Sequence, residues 1–62
     1  MNKNRPILVI EDDYVDALTV KRALSDNAIF NEVIFKSNGE DALAYLQDQS
    51  AELPAIILLD LN

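Results

Sequence analysis

Residues Ala55 to Asn62 read A-I-I-L-L-D-L-N, and this stretch decides the fold class. Ile56 to Leu59 make an unbroken apolar run that ends in Asp60. A short apolar run with β-branched residues suits a strand buried on both faces. It is too short for a helix standing alone, and Pro54 stops any helix before it. In open α/β sheets, ligands sit in the crevice beyond the carboxyl ends of the strands. Asp60 would stand at such an end. Taken alone, it is equally well explained as the start of a turn.

Working outward, Ile7 to Ile10 form a second run of the same kind, again followed by acids: Glu11, Asp12 and Asp13. Asp13 is a candidate N-cap for a helix from Tyr14 to about Asp26, where no Gly or Pro intervenes. Ala17, Val20 and Leu24, with Ala23 beside them, make its apolar stripe. Glu32 to Ser37 reads E-V-I-F-K-S, a strand whose polar ends suggest an edge. Asn38-Gly39 reads as a turn. A second helix follows from about Glu40 to Gln49, with Ala42, Leu43 and Leu46 facing inward. Ile29, Phe30 and Phe35 are expected in the core. Tyr14 and Tyr45 are expected as partly exposed packing residues, and Lys36 as a solvated strand end within possible reach of the acids. Met1 to Arg5 reads as a loose polar lead-in.

The order β-α-β-α-β implies parallel pairing with right-handed crossovers. With the first strand central, the spatial order is 2-1-3. A switch point then lies between the first and third strands, so Glu11, Asp12 and Asp60 converge on one crevice.

Composition narrows the chemistry. The chain has 62 residues, one domain at most, and half of them are apolar. It has no Cys and no His, so disulfides, Cys/His metal sites and the usual nucleophilic triads are excluded. Five basic and eleven acidic residues give 5 − 11 = −6, which argues against nucleic acid or an anionic membrane as partner. The longest apolar run is too short for a membrane span or a signal peptide. With no Cys, this points to the cytoplasm.

Three crowded carboxylates repel one another. Two unit charges about 4 Å apart at an effective dielectric of about 20 interact by roughly 4 kcal/mol. A cation, a shared proton or a nearby Lys or Arg has to offset this. All-oxygen ligands suit a hard divalent ion such as Mg²⁺. A carboxylate can also attack phosphorus and form an aspartyl phosphate, a reaction that needs mainly positioning and charge neutralisation. Asp60, held on a buried strand, is the better nucleophile candidate, and Glu11 and Asp12 the better metal anchors. Helix capping alone explains Asp13 but does not require three acids.

The segments I-L-V-I-E-D-D, D-A-L-T-V-K-R-A-L, N-G-E-D-A-L-A-Y-L and I-I-L-L-D-L-N, in this order, resemble the receiver domain of two-component response regulators. The D-L-N ending and the D-A of the first helix are most similar to small stand-alone receivers paired with phytochrome-type histidine kinases. The resemblance runs from Pro6 onward. It implies a flavodoxin-like α/β fold, of which residues 1–62 are read as a truncated receiver domain, the amino-terminal half. It also implies Asp60 as phosphoacceptor, Asp12 as direct Mg²⁺ ligand, Glu11 as its partner, and Asn62 as the residue whose main-chain carbonyl binds the metal. The implied donor is a sensor histidine kinase, and the domain is a signalling module, not an enzyme; as a 62-residue fragment it is expected to be impaired, with weak Mg²⁺ binding and poor labelling. A half-domain with a bare apolar last strand is expected to form a homo-oligomer through that strand. Two alternatives remain: an aspartate-nucleophile phosphatase fragment, and a structural, dimerising half-domain without chemistry. A dinucleotide-binding module is disfavoured because E-D-D stands where G-x-G-x-x-G would be needed.

Overall fold

A computed structural model describes residues 5–60; the lead-in before Arg5, and Leu61 and Asn62, lie outside them. The elements follow the expected order: β1 (Ile7–Ile10), α1 (Tyr14–Asp26), β2 (Val33–Lys36), α2 (Gly39–Gln47) and β3 (Ile56–Leu59). The three strands form one parallel sheet in the order β2-β1-β3, a partial flavodoxin-like α/β fold. No helix among the described residues is long and apolar enough to cross a membrane.

β1 is the centre because it alone has a neighbour on each side. Ile7, Leu8 and Val9 are almost wholly buried. Val9 pairs with Phe35 and Leu58, so these three share a face. Ala17 and Val20 of α1 border hollows lined by the same three residues, which puts α1 on that face. Right-handed crossovers to opposite edges of β1 then put α2 on the other face. The two buried helix residues, Ala17 and Ala42, are small, which lets the helices come close to the sheet.

Capping fixes the helix ends. Asp13 Oδ1 accepts the N–H groups of Val15 (2.8 Å) and Asp16 (3.1 Å), as expected. Asn38 is the N-cap of α2, its Oδ1 accepting the Asp41 N–H at 2.8 Å, so Asn38-Gly39 opens a helix and is not merely a turn. α1 ends in a Schellman closure: Ile29 N–H donates to Leu24 C=O (2.9 Å) and Ala28 N–H to Ser25 C=O (3.0 Å). Ala28 sits there in the left-handed region, φ 61°, where glycine is the usual occupant.

Several side chains depart from the expected pattern. β3 is not enclosed: Ile57 is 48% and Leu59 57% exposed, because only β1 lies beside it among the described residues. Phe30 is 78% exposed. Ile29 turns in after the Schellman closure, and the next residue of an extended chain faces the other way. Phe35 is only half-buried, on the edge strand β2. Ala23, a third of a turn from Ala17, is exposed, and Leu43 also lies outside the inward face. The inward face of α2 is Ala42, Tyr45 and Leu46, at the i, i+3, i+4 spacing of one helix face.

Arg5 is half-buried and anchored, not loose. Its guanidinium donates to the carbonyls of Leu53 (3.0 Å) and Pro54 (2.9 Å), and its own carbonyl accepts from Asn31 Nδ2 (2.7 Å). Lys36 turns to α2, its Nζ 5.7 Å from the centre of the Tyr45 ring, and the Tyr45 hydroxyl donates to Glu52 C=O. Asp48 accepts both the N–H and the hydroxyl of Ser50, and the hydroxyl first and the N–H second hold its pKa below the ordinary value.

A chain of this length is stabilised by roughly 3–9 kcal/mol at about 0.05–0.15 kcal/mol per residue. Truncating a fully buried leucine costs about 2–5 kcal/mol. Leu8→Ala is therefore expected to remove a large share of the stability and to lower the urea midpoint markedly. Far-UV circular dichroism with a urea titration reads this, and a midpoint close to that of the unsubstituted chain would count against β1 as the core.

Candidate functional site

The carboxyl edge of the sheet gathers the acids. Glu11 N–H donates to Lys36 C=O (2.9 Å), continuing the β1–β2 ladder beyond Ile10. Asp60 N–H donates to Ile10 C=O (3.2 Å), continuing the β1–β3 ladder beyond Leu59. These two backbone bonds hold Glu11 and Asp60 side by side at the end of the central strand. One carboxylate oxygen each from Glu11, Asp12 and Asp60 lies within 4.8 Å of the others. Glu11 and Asp60 are half-buried, and Asp12 is exposed.

Asp13 does not join this group, because its carboxylate caps α1. It contributes indirectly: its backbone N–H donates to Glu11 Oε2 at 3.1 Å and orients that carboxylate. This bond is the largest single influence on the Glu11 pKa and lowers it. Partial burial, a side-chain hydrogen bond with Asp60, and repulsion from Asp60 and Asp16 together outweigh it, so the net shift is upward. A hydrogen bond between two carboxyl groups needs a shared proton, one of the ways in which such crowding is relieved.

The three acids line a cavity of about 190 Å³. Ser37 and Asn38, from the β2–α2 connection, and Gly39, the first residue of α2, form another part of its wall. These were not singled out in the sequence as site residues. The available signal was topological, since β2 also borders β1 and its carboxyl end opens on the same crevice. A larger hollow of about 420 Å³ between α1 and β2 shares Glu11 and Asp12 but does not include Asp60. Lys36, considered as a cation for the acids, is engaged over Tyr45 instead. Asn62, whose main-chain carbonyl the resemblance assigns to the metal, lies outside the described residues.

A parallel β-α-β-α-β sheet of order 2-1-3, with acids closing β1 and β3 at one edge, is the arrangement expected of a receiver domain. The chain is 37% identical over 65 aligned residues to the response regulator Rcp1 of Synechocystis sp., an alignment covering 98% of this chain and 44% of that protein. No family model and no solved structure matches the chain. This similarity supports a response regulator receiver domain fragment, and the chain spans less than half the length of the relative it matches.

The raised Glu11 pKa fixes a sign. The folded chain holds this proton more tightly than the unfolded chain does, so between the unfolded and folded pKa values the folded state binds more protons. Stability without divalent ions should therefore fall as pH rises through that interval, and recover as pH drops back through the folded pKa. Carbon-detected NMR titration should find Glu11 above its ordinary value, and Asp60→Asn should bring it down. A Glu11 titration unmoved by Asp60→Asn would show that the two carboxyl groups do not interact.

Proposed function

We propose that the chain is the phosphoacceptor part of a two-component phosphorelay, receiving a phosphoryl group from a sensor histidine kinase on Asp60. The convergence of Glu11, Asp12 and Asp60 at the sheet edge of a receiver-family chain carries this reading. The donor set is all oxygen, in a chain without His or Cys, and fits a hard divalent cation such as Mg²⁺. Glu11, Asp12 and Asp60 would hold it, with the Asn62 carbonyl as a further donor. When bound, the ion neutralises charge on the transferring phosphoryl group.

The remaining work falls to the chain. β3 and the bond from Asp60 N–H to Ile10 C=O present the Asp60 carboxylate at the cavity. One of its oxygens attacks the phosphorus of the kinase phosphohistidine. A P–O bond forms as the P–N bond breaks, and the electron pair stays with the departing imidazole nitrogen. The Asp13 N–H keeps Glu11 turned to the acid cluster. Each acceptor is used once per phosphoryl group, so the chain is proposed as a signalling module and not as an enzyme, acting in the cytoplasm.

Incubation with Mg²⁺ and acetyl phosphate, followed by intact-mass measurement, tests the proposal. A single labile phosphoryl adduct is expected, lost in Asp60→Asn and strongly reduced in Asp12→Ala. Continuous turnover of phosphomonoesters would favour a phosphatase. No adduct and no Mg²⁺ binding would leave a structural half-domain.

The same chain is proposed to self-associate along β3, supported by the exposed Ile56, Ile57 and Leu59 on that edge strand. Sedimentation velocity at micromolar concentration is expected to show a dimer or larger species. A well-folded monomer would refute this.

A further inference from the structure

Gly39 is the chain's single glycine, and the fold does not require one there. Its φ is not positive, so the backbone conformation is open to any L residue. A Cβ built on it meets no atom within 4 Å, so packing does not exclude a side chain. Gly39 is the first residue of α2, a position that calls for no particular side chain. The cap of α2 is supplied by Asn38. What sets Gly39 apart is its position. It lines the cavity of about 190 Å³ that also holds Glu11, Asp12 and Asp60, and the side of its Cα where a side chain would stand is open space.

Phosphorus reaching Asp60 from a phosphohistidine arrives with an imidazole ring behind it, in line with the attack. That ring has to be accommodated at the rim of the cavity. We infer that Gly39 is a specificity-determining position, its missing side chain leaving the rim of the Asp60 cavity open to the ring of a phosphoimidazole-type donor. This rests on Asp60 being the phosphoacceptor. In the step concerned, an Asp60 oxygen bonds to phosphorus, the P–N bond breaks, and the nitrogen keeps the electron pair and leaves as neutral imidazole from the protonated donor.

Two small donors separate ring size from bond type. Phosphoimidazole and phosphoramidate both break a P–N bond, but only the first carries a ring. With Mg²⁺ present, the ratio of their labelling rates is measured by intact mass for the unsubstituted chain, Gly39→Ala and Gly39→Val. One methyl in a closely fitted apolar pocket is worth about tenfold or more. The rim at Gly39 is open, so the ratio of phosphoimidazole to phosphoramidate rate is expected to fall by less than that in Gly39→Ala and by about tenfold in Gly39→Val. An unchanged or increased ratio overturns the inference and leaves Asp60 as acceptor intact. No labelling of the unsubstituted chain by either donor removes the acceptor reading and this inference with it. Circular dichroism is expected to show Gly39→Ala at least as stable as the parent, and loss of its fold would show that folding itself needs the glycine, which also overturns the inference.

Discussion

The register of β1 against both neighbours is the constraint on which the molecule depends. Leu8 faces Ile34 on one side and Ile57 on the other, and Val9 faces Phe35 and Leu58. A slip of one residue on either side would turn every side chain of that strand to the opposite face. It would also carry the strand end along the sheet by about 3.3 Å, enough to part Asp60 from Glu11. Both ends of β1 are pinned against this. At the amino end, Ala55 N–H donates to Pro6 C=O and Ile7 N–H to Glu32 C=O, while Arg5 holds the carbonyls of Leu53 and Pro54. At the carboxyl end, the pins are the Glu11 and Asp60 N–H groups themselves. The bonds that finish the sheet are therefore the ones that assemble the acid cluster.

The chain's acids divide by what their carboxylates find. Asp13 meets two free helix N–H groups, and Asp48 meets the N–H and hydroxyl of Ser50. In both, the ionised form is hydrogen-bonded, so charge supports local structure. Glu11, Asp12 and Asp60 mainly find one another. The Asp13 N–H is a partial relief for Glu11, and the net direction of its pKa shows that this relief is incomplete. Under the proposed function, a cation or a phosphoryl group would offset this crowding.

Much of this was legible because the signals were local. Two apolar runs ending in acid gave β1 and β3, Asp13 gave the start of α1, and strand-helix alternation gave the order 2-1-3. The gathering of Glu11, Asp12 and Asp60 followed from topology alone. What escaped depends on which neighbour each residue meets. Arg5 looked like a loose lead-in because its acceptors lie 48 and 49 residues away. Phe30 looked like core because hydrophobicity says nothing of a left-handed Ala28 two residues earlier. Asn38-Gly39 has the composition of a turn, and only the observed bond to Asp41 N–H makes it a cap. The apolar run of β3 correctly signalled a strand, but the covering of its outer edge is not encoded in the run itself.

Asp60 stands at the end of an edge strand with one neighbour among the described residues, whereas Glu11 and Asp12 follow a strand with two. Parallel strands are ordinarily covered on both faces, and a strand with few buried contacts belongs to the part of a fold that opens most easily. Asp60 is thus held by fewer strand neighbours than Glu11 and Asp12 among the described residues. Any surface that pairs along β3, or packs on Ile57 and Leu59, binds the ordered strand better than the opened one and stabilises it by mass action. It would steady Asp60 without touching the cluster. Covering β3 would thereby hold Asp60 in its place beside Glu11.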